Sequence, residues 1–499
     1  MNPTFVGFFV CGRIDLGMVK IFIIIIALLI PDQGVGQSEK ESKAIQIDSL
    51  LTECNSRGIF NGVALVTDEG EIILHKGYGV SDRKEDKHVT LSDRFYIGSI
   101  TKQFTAVLIL KLQDQNVLSI GDPISKYLPE FKEDQYKDIN IHHLLTHTSG
   151  IHNYTSFPEF NPSKDYTEKE MINLIKTPLV FEPGSKWNYS NSGYYLLGKI
   201  AERVSKKSYG ELMDENIFTP LQMDNTAFDT SWLKNNIAKG YWRTINGFSP
   251  MPKYSLHTLF ASGGIYSTAE DLYKWDKALY GNQLLSEASK EFLFSPVLFD
   301  YACGWYVKKG NDEEGNYFER HFHGGMIKGY HTFILRRIPS KQLIVLLDNS
   351  YSQEIQDIKN RIWSALIKEP IKDVKPKLSN LLFDSCANNE LKKSIDTIKS
   401  NPGTFENTYI FEEYDINTVG YRLMDKERYE EAEIILRFNL ERYPDSWNVY
   451  DSMGELQLKM GNMGIAEGLY VKSLDLNPDN ISAKNALSKL KEHTTTKIQ

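Results

Sequence analysis

The sequence predicts an α+β domain followed by an all-helical domain, and three observations lead to this fold class. Two hairpin-like segments lie near the two ends of residues 45–367. Helical stretches fill most of the chain between them, and an internal repeat marks residues 380–499. Strands at both ends with helices between them are typical of an α+β domain whose termini meet in one sheet.

Length and composition support a chain of several folded domains and exclude some classes of partner. At roughly 150 residues per domain, 499 residues leave room for more than one domain. Hydrophobic residues make up 41% of the chain, which is too much for a disordered protein. The formal net charge of −8 offers no excess of basic residues for a phosphate backbone or an anionic membrane. We therefore expect no nucleic-acid partner.

The N-terminus carries the features of a secretory signal peptide. An apolar run, Ile21–Ile30, follows Lys20 and precedes a small-residue pattern that ends at Gly36. This run is too short for a hydrocarbon core of about 30 Å, so a permanent membrane span is the weaker alternative. We expect residues 1–36 to be removed on export to the periplasm or the extracellular space, with no stable span left afterwards. Met18 would itself make an ordinary start, which is a second interpretation of the N-terminus.

Two hairpins are expected at the ends of the first domain, residues 45–367. Each consists of two β-type runs around a turn signal: residues 63–66 and 71–74 around Asp68-Glu69-Gly70, and residues 333–335 and 343–347 around 338–341. A charged, proline-bearing stretch, residues 368–379, is typical of a linker.

Residues 380–499 are rich in helix formers and contain a repeat of 34 residues. Five identical pairs share this offset: Gly420/Gly454, Ala432/Ala466, Leu440/Leu474, Pro444/Pro478 and Asp445/Asp479. This is the tetratricopeptide period, in which small residues allow two helices of a hairpin to approach closely. Such repeats bind peptides in a groove, so a protein partner is one expectation; packing against the first domain is the other.

The chemical signal is a serine followed by a lysine one helical turn later, on the same face. The pattern S-x-x-K occurs four times: Ser81/Lys84, Ser99/Lys102, Ser231/Lys234 and Ser488/Lys491. Only Ser99/Lys102 follows an apolar run and a glycine and leads into an apolar helix. Burial in that helix would lower the pKa of Lys102 and allow it to take the serine proton.

Other chemistries receive less support. The chain lacks the G-x-S-x-G, P-loop, Rossmann and H-E-x-x-H motifs. His321 and His323 could begin a metal site, but glycines stand where further ligands are needed, and we interpret His142, His143 and His147 as structural. Four cysteines without a C-x-x-C pair allow at most one disulfide in the mature chain, or simply buried thiols: Cys11, Cys54, Cys303 and Cys386. We expect no metal and no cofactor.

Around Ser99 the sequence resembles the serine β-lactamase-related proteins, which include class C β-lactamases, D-Ala-D-Ala carboxypeptidases, D-aminopeptidases and esterases. Six segments carry the resemblance, in the order of that family: Gly77-Tyr78-Gly79, residues 95–102, residues 143–151, Tyr189-Ser190-Asn191, residues 261–268 and His323-Gly324-Gly325. The resemblance implies an antiparallel sheet flanked by helices, with a helical lobe inserted between its first and last strands.

The resemblance also implies the catalytic roles. Ser99 would be the nucleophile that forms an acyl-enzyme, and Lys102 the base beside it. Tyr189 would carry the serine proton to the leaving group, stabilised as a phenolate by the nearby lysine. The backbone amides of Ser99 and Met326 would form the oxyanion hole.

Three further residues would bind substrate. Asn191 would orient Lys102 and hold a substrate amide. His323 and Gly325 would lie on an edge strand, where the glycine leaves room for the substrate backbone. Penicillin-processing relatives usually carry Lys-Thr-Gly where this chain has His323-Gly324-Gly325.

We therefore expect an exported serine hydrolase that acts on an ester, an amide or a D-amino-acid-type peptide, with little demand for a terminal carboxylate. The alternative is a catalytically degenerate, penicillin-binding-like protein that acts as a binding or scaffold module through its helical repeats. Retention of Ser99, Lys102, Tyr189 and Asn191 together favours the enzyme.

Overall fold

A computed structural model describes residues 33–228, 236–252, 254–311 and 315–496 of the chain. The predicted signal peptide lies outside the described residues up to residue 32 and stays a prediction. The described strands, in chain order, are β1 Gly62–Asp68, β2 Glu71–Tyr78, β3 Val80–Asp82, β4 Lys87–His88, β5 Phe95–Tyr96, β6 Tyr241–Thr244, β7 Gly247–Pro250, β8 Tyr266–Ser267, β9 Tyr306–Asn311, β10 Tyr317–Ile327, β11 Tyr330–Arg337 and β12 Gln342–Asp348.

Helices fall into two groups along the described chain. The first group belongs to the sheet-bearing part: α1 Gln33–Ser56, α2 Thr101–Asp114, α3 Ile141–Leu145, α4 Glu168–Ile175, α5 Asn191–Ser205, α6 Tyr209–Met213, α7 Leu256–Gly263, α8 Ala269–Ala278, α9 Glu287–Leu293 and α10 Ile355–Leu366. The second group follows without strands: α11 Leu378–Ala387, α12 Leu391–Ser400, α13 Pro402–Thr408, α14 Glu413–Met424, α15 Tyr429–Arg442, α16 Trp447–Lys459, α17 Met463–Leu476 and α18 Ile481–Thr496.

Six strands form one antiparallel sheet in the order β2-β1-β12-β11-β10-β9. Both predicted hairpins are confirmed, as β1–β2 and β11–β12. The two ends of the domain also meet as predicted, because β1 pairs with β12 from Gly62 opposite Asp348 to Thr67 opposite Leu343. Every residue of β12 is buried, as expected for a strand in the middle of a sheet with helices on both faces.

Apolar packing on the two faces of the sheet gives the domain two cores. One face is covered by α1 and α10, which contribute Ile47, Leu51, Ile358 and Ile362. The other face is covered by the larger core around α2, which is buried along almost its whole length. Helices α2–α9, within residues 101–293, form a helical lobe that is inserted in the chain between the hairpin β1–β2 and the strands β9–β12. The predicted fold class is therefore confirmed.

The helical region repeats its helix positions at the offset seen in the sequence. Helices α14 and α16 begin at residues 413 and 447, and α15 and α17 at residues 429 and 463, each pair 34 apart. A Cβ on Gly420 would lie 2.5 Å from the Leu436 side chain, so glycine permits the close approach of α14 and α15. Ala432 and Ala466 are fully buried, as the repeat pattern predicts. The name tetratricopeptide remains an interpretation of this arrangement.

Direct contacts join the helical region to the sheet-bearing part. Glu354 Oε1 accepts hydrogen bonds from the Lys377 amide at 3.0 Å and from Asn380 Nδ2 at 2.7 Å. Arg243 on β6 pairs with Asp384 on α11. Residues 368–377 connect α10 to α11 without helix or strand, close to the predicted linker; the domain boundaries stay a prediction.

Cys54, Cys303 and Cys386 are free and buried. Burial raises the pKa of the Cys54 and Cys386 thiols to about 12, so they are inert small hydrophobes at neutral pH. No helix among the described residues is both long and apolar enough to cross a bilayer.

Candidate active site

Ser99 and Lys102 meet at the start of the buried central helix. Ser99 lies in a short 3-10 turn, Gly98–Ile100, that leads directly into α2, and it is partly exposed. Lys102 lies in the first turn of α2 and is fully buried. The spacing of three residues places Lys102 Nζ 3.2 Å from Ser99 Oγ, within hydrogen-bonding distance.

The surroundings of Lys102 favour a neutral amine. Its Nζ also contacts Asn191 Oδ1 at 2.8 Å and the Ser262 carbonyl oxygen at 2.7 Å. Burial lowers the pKa of Lys102 well below its ordinary value, and all three contacts are with uncharged groups. A neutral amine has two N–H bonds and one lone pair. With both N–H bonds given to Asn191 and Ser262, the lone pair is left for the proton of Ser99.

A strained residue lies two positions before the carbonyl that contacts Lys102. Phe260 has φ +36° and ψ −136° and interrupts α7. The next two carbonyls face α2: Ala261 accepts from Thr105 Oγ1 at 2.7 Å, and Ser262 accepts from Lys102. No role was predicted for Ser262 itself, which lies in one of the segments that carry the family resemblance.

Tyr189 and Asn191 approach from the start of α5. Ser190 caps this helix, and its side chain accepts from the Gly193 amide at 3.4 Å. The ring centroid of Tyr189 lies 4.8 Å from Lys102 Nζ. Burial raises the pKa of Tyr189 well above its ordinary value, although a hydrogen bond with Ser99 acts in the opposite direction. Burial therefore favours the phenol over the expected phenolate, and the role of Tyr189 as a proton carrier stays a prediction.

His147 fixes the segment that carries Tyr189. Its carbonyl accepts from the Asn188 amide at 3.0 Å, and its Nδ1 accepts from the Ser190 amide at 3.2 Å. Its ring centroid is 4.4 Å from that of Tyr189. Both neighbours of the tyrosine in the chain are thus held by one buried histidine, which agrees with the structural interpretation of His147.

The end of β10 passes beside the Ser99 turn. A Cβ on Gly98 would lie 2.8 Å from the Met326 amide nitrogen, so this amide and the turn are neighbours, as an oxyanion hole requires. At Gly325, the space for a side chain is filled by the Ile97 carbonyl oxygen, 1.9 Å from an ideal Cβ. The glycine is thus needed for β10 to pack against the chain leading to Ser99; pairing with substrate at this position stays a prediction.

His323 is a neutral, buried residue behind the site. Its Nδ1 donates to the Gly324 carbonyl at 2.6 Å, and its ring centroid lies 6.1 Å from that of Tyr189. Burial lowers the pKa of His323 to about 3. Since Nδ1 carries the proton, Nε2 accepts from Tyr301 Oη at 3.4 Å. His323 therefore offers no positive charge to a substrate at neutral pH.

A cleft of about 430 Å³ opens over Ser99. Its lining includes three residues expected from the sequence, namely Ser99, Asn191 and Met326. The remaining walls are largely aromatic and apolar, with one lysine at the end of β10: Tyr154, Phe160, Tyr254, Leu259, Ile327, Lys328 and Tyr351. Sequence reasoning missed these residues, because no motif links segments so far apart in the chain.

The other chemical candidates lie elsewhere. Ser81 donates to backbone carbonyls, Ser488 lies on the exposed side of α18, and residues 231–234 lie outside the described part of the chain. Trp275 is fully buried against Phe104, as expected for a core residue. Within the described ranges, no group of three or more histidine, cysteine, aspartate or glutamate side chains is placed to hold a metal ion.

Comparison with known proteins relates this arrangement to a family. Penicillin-binding protein 4* of Bacillus subtilis is 29% identical over 334 residues, which are 62% of this chain and 72% of that protein. Protein flp of Staphylococcus aureus strain MW2 is 28% identical over 338 residues, 64% of this chain and 66% of that one.

Solved structures share the fold. FmtA from Staphylococcus aureus matches with a TM-score of 0.57 and 26% identity, covering 67% of this chain and 91% of that one. D-amino acid amidase from Ochrobactrum anthropi matches with a TM-score of 0.59 and 22% identity, covering 65% and 99%. A family model described as "Beta-lactamase" matches residues 47–353. Because this match spans more than half of the chain, the protein belongs to the β-lactamase family of serine hydrolases and penicillin-binding protein homologues.

Proposed function

We propose that the protein is an exported serine hydrolase that cleaves an ester, an amide or a D-amino-acid-type peptide through an acyl-enzyme on Ser99. The single observation that carries this proposal is the state of Lys102. It is fully buried, holds three neutral partners and lies 3.2 Å from Ser99 Oγ. A buried lysine without a carboxylate partner is unfavourable for stability. Its presence beside a nucleophilic serine is explained if the lysine serves as the general base.

The chemistry follows from the geometry. Ser99 Oγ attacks the substrate carbonyl carbon while its proton passes to Lys102 Nζ. The carbonyl oxygen becomes an oxyanion, which the Ser99 and Met326 amides stabilise. Tyr189 then donates its phenolic proton to the departing oxygen or nitrogen as the C–O or C–N bond breaks, and it regains a proton from Lys102. Water cleaves the resulting ester of Ser99 and restores the hydroxyl.

Substrate selection at the leaving group is expected to tolerate the absence of a carboxylate. The third motif contributes the neutral His323 in place of a lysine cation. The relatives named as penicillin-binding proteins support a test with a penicillin. We expect a slow or absent reaction with that reagent.

The remaining parts of the proposal concern location and the helical region. The apolar run Ile21–Ile30 supports export, to be tested by cell fractionation and by the mass of the mature N-terminus. Hairpins repeated every 34 residues support a tetratricopeptide-like region with a protein partner.

The test is the intact mass of the purified protein after incubation with a fluorophosphonate and, separately, with a penicillin. We expect one fluorophosphonate adduct, which is lost in Ser99→Ala. Ser488→Ala is the matched control, because Ser488 also precedes a lysine by three residues on a helix. Labelling that persists in Ser99→Ala would contradict the assignment. Labelling that is absent in the unmodified protein would favour the scaffold function.

A further inference from the structure

Lys328 lines the cleft over Ser99 but takes no part in the proposed acyl-transfer steps. It lies in the turn between β10 and β11, two residues after Met326, and lines the same cleft as Ser99. It is the one charged side chain in that lining among the residues that the structure describes. The other walls are aromatic or apolar, so a charge at this point distinguishes one substrate from another.

The direction of β10 assigns this end of the cleft to one part of the substrate. A substrate whose carbonyl lies at the Met326 amide has one side toward His323 and the other toward Lys328. Tyr189, the proposed proton donor to the leaving group, lies at the His323 side, with ring centroids 6.1 Å apart. The leaving group therefore belongs to the His323 side, and the acyl part extends toward Lys328.

The distance sets the length of the acyl part. Two residues of strand span about 7 Å. An acyl part of about two extended residues, or a straight aliphatic chain of similar reach, therefore extends as far as the backbone of Lys328. The aromatic walls formed by Tyr154, Phe160 and Tyr254 suit the apolar middle of such a group.

Lys328 is held in place and its charge is not balanced. Its Nζ lies 3.4 Å from the ring centroid of Trp242 on β6, which fixes a side chain that is otherwise flexible. The Arg422 guanidinium, from α14, lies 5.7 Å from the same ring. Desolvation and Arg422 both lower the pKa of Lys328. Arg422 pairs with Asp425 at 3.6 Å, whereas no ion pair of Lys328 is found among the described residues. Trp242 and Arg422 do not line the cleft over Ser99, so Lys328 is the residue that offers positive charge to that cleft.

We propose that Lys328 binds a carboxylate at the far end of the acyl part of the substrate, so that the enzyme prefers acyl groups that end in an anion. The proposal rests on the acyl-enzyme function of Ser99. This contact lies on the acyl side of the substrate. It is distinct from recognition of the leaving group by a lysine of the third motif, where this chain has the neutral His323. The ordered lysine and the missing counter-ion favour binding of an anion over a purely structural role.

Two matched substrates test this specificity: the 4-nitrophenyl monoester of adipic acid and its methyl ester, which differ only in the terminal carboxylate. We expect the purified protein to hydrolyse the free acid with a kcat/KM about tenfold above that of the methyl ester at low salt. In Lys328→Met this preference should disappear, so that the two esters are hydrolysed with similar kcat/KM. Lys328→Glu should reverse the preference, and Lys328→Arg should retain it.

The control variant is Lys393→Gln, which removes one positive charge from an exposed lysine of α12. It should leave the preference unchanged, which separates a local contact from the effect of net charge. An equal preference in the unmodified protein and in Lys328→Met would overturn the proposal, provided that Ser99→Ala abolishes hydrolysis of both esters. If neither ester is hydrolysed and Ser99 takes no fluorophosphonate, the acyl-enzyme function itself fails.

Discussion

Replacing Gly325 by alanine tests whether the close packing of β10 against the Ser99 turn positions the site. An ideal Cβ at Gly325 lies 1.9 Å from the Ile97 carbonyl oxygen and 2.4 Å from Thr332 Oγ1, and real Cβ contacts below 3.0 Å are essentially never seen. Backbone must therefore separate by about 1 Å, a displacement that can cost a factor of about 100 in rate. Overpacking of this kind also lowers the free energy of unfolding by about 1–3 kcal/mol.

The displacement acts on the oxyanion hole in particular. The Met326 amide follows Gly325 directly, and it neighbours Gly98 on the other side of the contact. Moving β10 away from the Ser99 turn takes this amide away from the position that the developing oxyanion occupies. We therefore expect Gly325→Ala to slow fluorophosphonate labelling of Ser99 by about 100-fold.

Gly324 provides a matched control in the same motif. A Cβ at Gly324 would lie 3.5 Å from the Phe333 ring, an ordinary contact, so Gly324→Ala should be tolerated in both stability and labelling rate. Labelling is followed by intact mass over time, and stability by urea unfolding. Equal behaviour of the two alanine variants would refute the reasoning that Gly325 fixes the distance between β10 and the Ser99 turn.

Three further predictions concern buried titratable groups. Lys102→Met should abolish labelling of Ser99 and raise the free energy of unfolding at pH 7, which thermal unfolding checks. A lysine whose pKa is lowered by burial destabilises the folded protein at every pH below its unfolded pKa, and methionine removes that cost. The pKa of His323 is about 3 in the folded protein and about 6.5 in the unfolded chain, so the free energy of unfolding falls as pH drops from 6.5 toward 3, by about 2 kcal/mol at pH 5. Urea unfolding at pH 7 and pH 5 should therefore show a smaller pH dependence in His323→Gln. Asp276→Asn leaves the guanidinium of the buried Arg336 without its partner at 2.7 Å and should cost about 3–5 kcal/mol in unfolding free energy, whereas a surface change such as Lys393→Gln should cost less than about 0.5 kcal/mol.

Local patterns were enough to predict the ends of the sheet. The turn signal Asp68-Glu69-Gly70 and the proline-bearing turn at 338–341 set two hairpins, and the apolar runs beside them define which strands are central. The order of β9 and β10 at the far edge was outside local reasoning, since β9 has exposed residues and no clear alternation. Such edge strands are determined by contacts with their neighbours and less by their own composition.

Prediction of the site depended on how far apart its parts lie in the chain. Ser99 and Lys102 are one helical turn apart, so their proximity follows from helix geometry alone. Tyr189 and Asn191 were assigned through family order, and the structure brings Asn191 to 2.8 Å from Lys102 Nζ. The Ser262 carbonyl had no sequence signal, because any residue type has a carbonyl and only the strained backbone at Phe260 directs this one.

Burial decides which protonation states of Lys102 and Tyr189 are favoured. A lysine beside a tyrosine suggests an ion pair of ammonium and phenolate. Burial, however, disfavours both of these charged forms, because each loses its hydration. In this fold, burial lowers the pKa of Lys102 and raises that of Tyr189, and it therefore favours the neutral amine and the phenol. That pair has one free lone pair, on Lys102, and one transferable proton, on Tyr189. In the proposed reaction, Lys102 is the base for the attack of Ser99 and Tyr189 is the acid for the departure of the leaving group, and acyl transfer at neutral pH requires one of each.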